Sequence, residues 1–155
     1  MGTSCSEHAE WLVPSGVFIV TLRSGAFVNA YAAGWVVRVS EVPVMLQVAV
    51  WEQNYSFELA RECDAFAAHI LGQGQQDMAR HFGRNSGRTM DKLAHYSTHA
   101  GASGLPILDD CLAFLECEVV FRRSFGDHLI LVGHAIDSHV NRSGEPLIYR
   151  HADYE

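Results

Sequence analysis

Three stretches of the chain hold residue types whose order can do chemistry. His128 follows Phe125-Gly126-Asp127, a turn signal between two β-branched runs. An imidazole just past such a turn can donate a hydrogen bond or titrate near neutrality; a histidine that only stabilises the turn is the alternative. The second stretch is Asn29-Ala30-Tyr31-Ala32-Ala33-Gly34-Trp35, where small residues interrupt a bulky pattern. Small residues in a strand mark places where something else comes close to the backbone. Tight packing of two strands would use the same residues. The third is Gln53, Asn54 and Ser56, which open a helical pattern. A helix N-terminus offers free N–H groups and a positive partial charge, suited to a phosphate. Simple capping by Asn54 competes with that reading.

Nine histidines raise the question of a metal. His95 and His99 have the i, i+4 spacing of two ligands on one helical face, but Tyr96-Ser97-Thr98 and Ala100-Gly101 make a poor helix. His134 and His139 differ by five, which puts them on opposite strand faces. Cys5, Cys63, Cys111 and Cys117 form no Cys-x-x-Cys pair. The last three sit in apolar patterns and are expected to be buried, inert thiols; Cys5 belongs to the terminus. Asp109-Asp110 follow Pro106 in a turn and are expected only to cap what comes next. No protein-ligated metal is expected.

The bulk properties narrow the class. At 155 residues the chain fits one domain with a real core. Apolar residues are 48%, charged residues 19%, and the formal net charge is −7. That charge argues against nucleic acid, whose binding relies on a basic surface, and against an anionic membrane surface. The apolar runs fall short of the roughly 20 residues of a spanning helix. Residues 1–10 lack the basic and apolar regions of a signal peptide, so a cytoplasmic location is the expectation.

The elements that must position these residues are mostly strands. Residues 17–22 form a β-branched run entered from Pro14-Ser15-Gly16 and closed by Ser24-Gly25. Residues 26–39 read as one long second run, and residues 44–51 as a third, almost wholly apolar one. A run that apolar is expected to be covered on both faces, by core and by a partner or ligand. Residues 55–63 show helical spacing with Asn54 as N-cap, and residues 65–71 form a weak, alanine-rich strand. Residues 75–82 form a second short helix ended by Gly83, and residues 84–104 a long excursion without clear periodicity. Residues 113–123 and 128–140 form a hairpin. Asn141-Arg142-Ser143-Gly144 turns the chain before Pro146-Leu147-Ile148-Tyr149. The sum is mainly β: a six- to seven-stranded antiparallel split β-barrel of Greek-key type with short inserted helices. Residues 1–14 read as an N-terminal arm and residues 15–155 as the domain.

The ordered blocks carry a resemblance. Ser15-Gly16-Val17, the block Asn29 to Trp35, and Val39-Ser40-Glu41-Val42-Pro43 resemble the opening segments of the flavin reductase family. Asn54-Tyr55-Ser56-Phe57-Glu58-Leu59, Ala79-Arg80-His81-Phe82-Gly83, Asp91-Lys92-Leu93 and Gly104-Leu105-Pro106-Ile107-Leu108 follow in the family's order. So do Leu115-Glu116-Cys117 and Gly126-Asp127-His128, with Val132-Gly133 after them. The likeness runs from about Ser15 to Tyr154.

The resemblance implies a homodimer of split barrels that binds FMN, or FAD, between subunits, with NADH or NADPH as co-substrate. It implies an NAD(P)H-dependent flavin reductase, whose reduced flavin goes to a separate monooxygenase or another electron acceptor. A non-catalytic flavin-binding or electron-transfer protein of the same fold is the rival. On this reading Asn29, Ala30, Tyr31, Ala32, Ala33, Gly34 and Trp35 face the flavin ring and ribityl chain. Gln53, Asn54 and Ser56 take its phosphate, and His128 lies near the nicotinamide. The sequence departs from the family where Ala32 and Gly34 replace hydroxyl residues, and where Asn54 replaces a basic one. Arg84, Arg88 and Lys92 could supply the missing charge, unless they form only a solvated basic loop. Tyr149 and Tyr154 could stack on or cover the flavin, with plain packing as the alternative.

Overall fold

The computed structural model describes residues 8–154; Cys5 and most of the N-terminal arm lie outside them. Seven antiparallel strands form the main sheet in the order β2-β1-β5-β8-β9-β4-β3. In chain order they are β1 (Phe18–Ser24), β2 (Phe27–Ala33), β3 (Val36–Glu41), β4 (Val44–Trp51), β5 (Ala65–Ile70), β8 (Ala113–Phe125) and β9 (His128–Val140). Two more, β6 (Thr98–Ala100) and β7 (Pro106–Leu108), pair with each other apart from that sheet. Helix α1 (Tyr55–Ala60) follows β4 and α2 (Gln76–Arg84) follows β5.

The sheet's two edge strands, β2 and β3, are consecutive in the chain. They meet at a bend where the Trp35 carbonyl accepts from the Ala49 N–H at 3.1 Å. The Tyr31 hydroxyl donates to the Ala49 carbonyl at 3.0 Å. These contacts draw β2 toward β4 without a full ladder, which makes the barrel split. Burial pushes the Tyr31 phenol well above its usual range, so it stays a neutral donor.

Strands β1 and β5 are buried on both faces, and that explains the alanines of β5. On one face Ile19, Ala65 and Ala67 pack with Phe82 of α2, Leu105, Ile107 and the C-terminal Leu147. On the other, Val20, Leu22, Phe66 and Ala68 fill the barrel with Val48, Val50 and Leu131. Small side chains let α2 and residues 105–108 approach the sheet. Inside the barrel, a Cβ on Gly133 would stand 2.6 Å from both the Phe66 ring and the Cys117 Cβ. Glycine there makes room for the phenyl ring.

Several expectations are corrected. The long second run is two strands, because Gly34 and Trp35 leave the ladder and turn the chain. The first helix ends at Ala60, three residues early, after which Asp64 leads into β5. Gly83 does not end α2, which runs to Arg84; it faces Ala32, whose Cβ would lie 3.4 Å from a Cβ built on the glycine. Residues 106–108 form β7, and Asp109-Asp110 lie in the bend that follows it. The core face expected of β4 is present, with Leu46, Val48 and Val50 in the chain's own barrel, while Ala49 and Trp51 on its other face line a groove.

Candidate functional site

The bend between β2 and β3 forms the floor of a two-armed groove. Both arms are lined by Ala32, Ala33, Gly34, Trp35 and Gly83. No side chain on the Ala32–Gly34 floor reaches beyond Cβ, so the backbone itself is presented. Helix α2 holds one bank, with Gly83 facing Ala32. The register sets Ala32 opposite Ile19 and Ala33 opposite Phe18 on β1, which fixes the floor in the sheet.

The first arm, about 270 Å3, continues past Tyr31, Ala49, Trp51, Asn54 and His128. Trp51 faces His128 across the β4–β9 ladder. The His128 ring packs against the Trp35 indole with centroids 4.4 Å apart. Its Nδ1 lies 2.7 Å from an Asp127 carboxylate oxygen. A carboxylate only accepts, so Nδ1 carries the proton and Nε2 is the nitrogen left for another partner. That bond also holds the Asp127 carboxyl below its usual range. Gly126 makes the turn possible with φ of 55°, a left-handed conformation that suits glycine.

The second arm, about 350 Å3, continues between α2 and the C-terminal segment along Val17, Ala79, Arg80, Arg84, Tyr149 and Tyr154. Tyr149 and Tyr154 are stacked at 5.2 Å with an interplanar angle of 2°. The Arg80 guanidinium lies 5.9 Å from the Tyr154 ring centroid. Arg80 Nε donates to the Asp153 carbonyl at 2.8 Å and Nη1 pairs with Asp77 at 2.6 Å. Arg84 Nη2 reaches the Tyr154 carbonyl at 3.3 Å.

The fold thus brings Tyr31, Ala32, Ala33, Gly34, Trp35, Asn54 and His128 together. Other expected residues stand elsewhere. Ala30 is in the core. Asn29 is buried and donates from Nδ2 to the Ser56 Oγ at 2.8 Å. Asn54 accepts the Ser56 N–H at 2.9 Å, so it caps α1 while lining the groove. Ser56 has no exposed surface, and Gln53 is exposed without lining either arm. Arg88 pairs with Glu58 at 2.5 Å and lies over the Tyr55 ring. Lys92 is buried, with its Nζ donating to the Phe82 carbonyl at 3.0 Å, and burial lowers it to about 8. Lys92 therefore ties the excursion to α2 and does not reach the groove.

Sequence reasoning missed Ser15, Trp51, Ala79, Arg80 and Gly83 as groove residues. The signal for two of them was available: Ala79 and Gly83 are small residues at i, i+4, one strip of an amphipathic helix. Asp109 is bound by the Ser97 hydroxyl and by His99 Nδ1, and Asp110 pairs with Arg142. With the carboxylate between serine and histidine, no Ser–His relay exists there. Among the described residues no group of three or more His, Cys, Asp or Glu could hold a metal. No helix among them is long and apolar enough to cross a membrane.

The sequence profile of the flavin reductase like domain matches residues 11–155. The chain belongs to this family. An actinorhodin polyketide dimerase from Streptomyces coelicolor is 34% identical over 138 residues, 88% of this chain and 76% of that protein. A diflavin flavoprotein from Thermosynechococcus vestitus is 33% identical over 117 residues, 75% of this chain but 20% of that protein. The chain thus spans about a fifth of that much longer relative. The structure of an NADH:FAD oxidoreductase from Streptomyces globisporus superposes with a TM-score of 0.80 at 26% identity. That match covers 88% of this chain and 81% of the other. The chain shares the split-barrel fold of the flavin reductase family.

Proposed function

We propose that the chain is an NAD(P)H-dependent flavin reductase that binds FMN in the arm of the groove beside His128. The observation that carries this reading is the bare floor, where Ala32, Ala33 and Gly34 present backbone to an arm walled by Trp35, Trp51 and His128. The residues fit a flavin. A planar ring with edge oxygens and nitrogens needs close approach to backbone N–H groups, and a floor without side chains permits it. Ala32–Trp35 and Tyr31 would hold the ring and ribityl chain, and Asn54, which lines the same arm, would stand at the phosphate end. A bound flavin supplies the two-electron acceptor for a hydride from NADH or NADPH.

The chain's own part is position and access. Asp127 fixes the tautomer and orientation of His128, so Nε2 is offered toward the arm. There it can accept a hydrogen bond from the nicotinamide carboxamide or move a proton. Trp35 holds the ring of His128 in place from the other side. A row of exposed apolar residues on and beside the edge strand β3, Val37, Val39 and Val42, favours burial against a second copy. Apolar patches of that kind are uncommon on soluble monomers. The homodimer, a cytoplasmic location and transfer of reduced flavin to a separate monooxygenase or other acceptor complete the proposal.

One observation favours the rival, a non-catalytic flavin-binding or electron-transfer protein. Ala32 and Gly34 offer no hydroxyl to the flavin, which lowers affinity by about 1 kcal/mol per lost hydrogen bond. Titration with FMN, FAD and riboflavin, followed by flavin absorbance, tests binding. Oxidation of NADH and NADPH at 340 nm with each flavin tests catalysis. Binding with turnover supports the reductase, and binding without turnover supports the carrier. Failure to bind any of the three removes both. Sedimentation of the loaded protein as a stable monomer at micromolar concentration would remove the dimer.

A further inference from the structure

We infer that Arg122 is a positioning residue for the Asp127–His128 pair: it fastens the overhanging end of β8 to the C-terminus of α1, and so sets where the β8–β9 turn presents His128 in the first arm. For its effect on the reaction the inference rests on the reading that this arm takes the flavin.

The need for a fastening comes from the sheet. Strand β8 pairs with β5 only from Ala113 to Glu118, where β5 begins at Ala65. It then runs on to Phe125. The Val119 N–H still donates to the Asp64 carbonyl at 2.8 Å. Beyond that bond no strand among the described residues lies along the outer edge of β8. The ladder to β9 shifts register in the same stretch, between Val119 and Phe121. Burial does not hold the overhang either, since Val120, Phe121 and Phe125 are exposed. Two paired strands alone are marginally stable in water. Strand β9 has β4 on its far side, so the loosely held part is the outer strand and the turn that ends it.

Arg122 bridges this gap. It stands opposite Leu131 of β9, and its guanidinium reaches across to α1. Nη1 donates to the Arg61 carbonyl at 2.6 Å, and Nη2 donates to the Cys63 carbonyl. Arg61 is the C-cap of α1. The last carbonyls of a helix lack partners within it and carry partial negative charge. A planar guanidinium suits that place, because it is cationic and its fork serves two acceptors at once.

The leading end of the same segment meets the same hairpin. The Glu52 N–H donates to the Asp127 carbonyl at 3.0 Å, and Trp51 pairs with His128. Residues 51–63 are thus clipped to the hairpin at both ends, and without Arg122 the turn hangs on the Glu52 clip and the β4 ladder. Asp127 is the residue that orients the His128 ring through Nδ1. Asn54 is held by other means: it accepts the Ser56 N–H, and the Ser56 hydroxyl oxygen accepts from Asn29. Loss of Arg122 therefore disturbs the histidine more than the groove residues that would hold a flavin.

The test is stopped-flow reduction of FMN on the full chain, by whichever of NADH and NADPH the parent oxidises, in Arg122→Gln, His128→Ala and the double variant. Arg122→Gln should slow reduction about fivefold or more at saturating nucleotide, with FMN affinity and nucleotide KM within about twofold. In the His128→Ala background the same change should cost less than about twofold, because its effect passes through the histidine. Arg122→Lys keeps the charge without the fork and should retain more of the rate; it carries the same cycle if Arg122→Gln does not fold. Hydrogen exchange on the flavin-free chain reads the fastening directly. Amides of residues 123–128 should exchange faster in Arg122→Gln, with those of α2 unchanged. A parent-like rate, an equal fold-loss in both backgrounds, or a loss of FMN affinity as large as the loss of rate overturns the inference. So does exchange that is unchanged at the turn or faster everywhere alike. If the parent reduces no flavin, the reductase reading falls, and the exchange result alone decides whether Arg122 places the turn.

Discussion

Protonation of His69 should destabilise the fold between pH 7 and pH 5. The imidazole has no exposed surface. Its Nδ1 lies 2.8 Å from the Ile19 carbonyl, and its Nε2 accepts the Leu108 N–H at 3.0 Å. One nitrogen must donate and the other accept, which only the neutral ring can do. Burial, which outweighs the favourable bond to Ile19, lowers the pKa from 6.5 to about 4, with a smaller contribution from nearby His99. A depressed folded pKa means that the unfolded chain takes up the proton first. The stabilisation is therefore complete above pH 6.5 and falls as pH drops toward 4. Between pH 7 and pH 5 the linkage amounts to about 2 kcal/mol. Urea unfolding followed by tryptophan fluorescence at the two pH values measures it. His69→Gln keeps one donor and one acceptor but does not titrate, so its pH dependence over this range should be smaller by about that amount. Equal pH dependence in the parent and in His69→Gln would refute the argument. The consequence reaches the groove, because Ile19 pairs with Ala32 and His69 ties that stretch of β1 to β7.

Gly133→Val should cost about 1–3 kcal/mol or more in urea unfolding, since its Cβ would meet Phe66 and Cys117 at 2.6 Å. An unchanged midpoint would mean that the barrel interior is looser than described. His128→Ala should slow flavin reduction in stopped-flow by roughly 10- to 100-fold, about 1.4–2.7 kcal/mol, with flavin affinity nearly unchanged. A parent-like rate would leave His128 as a turn residue only. Ala32→Thr should tighten FMN by about fivefold, near 1 kcal/mol for a recovered hydrogen bond, as read by flavin fluorescence titration. Weaker binding together with a lower melting temperature would show that the hydroxyl points into α2 instead.

The sequence discloses its strands where patterning and turn chemistry agree. The β8–β9 hairpin is legible because Gly126-Asp127 sits between β-branched runs, and β1 and β4 because they are continuous apolar stretches. The break at Gly34-Trp35 is not, since an Ala-Gly-Trp sequence fits a continuous strand as well as a bend. What decides it is the Ala49 N–H, fourteen residues on, which bonds the Trp35 carbonyl. Strands β6 and β7 are three residues each, too short for any periodicity to register. The site was half legible. Ala32 to Gly34, Asn54 and His128 are marked by local type and spacing, whereas Tyr31 and Trp35 enter only through the resemblance to the family's block. Lys92 and Ser56 mislead because polarity implies solvent, whereas both turn inward and satisfy buried partners. Arg80 and Arg84 join the groove only through the face that α2 shows to β2, a tertiary fact.

Smallness at positions 32, 34 and 83 links these points. Relative to the family pattern, Ala32 and Gly34 remove hydroxyls that would bind a flavin, which by itself argues for weakened binding. Gly83 faces Ala32, and a Cβ on the glycine would stand in van der Waals contact with the alanine, 3.4 Å from its Cβ. A larger side chain at 32 competes with α2 for that space, and α2 is the bank that carries Arg80 and Arg84 into the second arm. The exchange therefore has two effects of opposite sign. It costs polar contacts in the first arm, about 1 kcal/mol each, and it lets the helix sit low enough to wall the second. Both arms share this floor, so a side chain added at position 32 alters the two together.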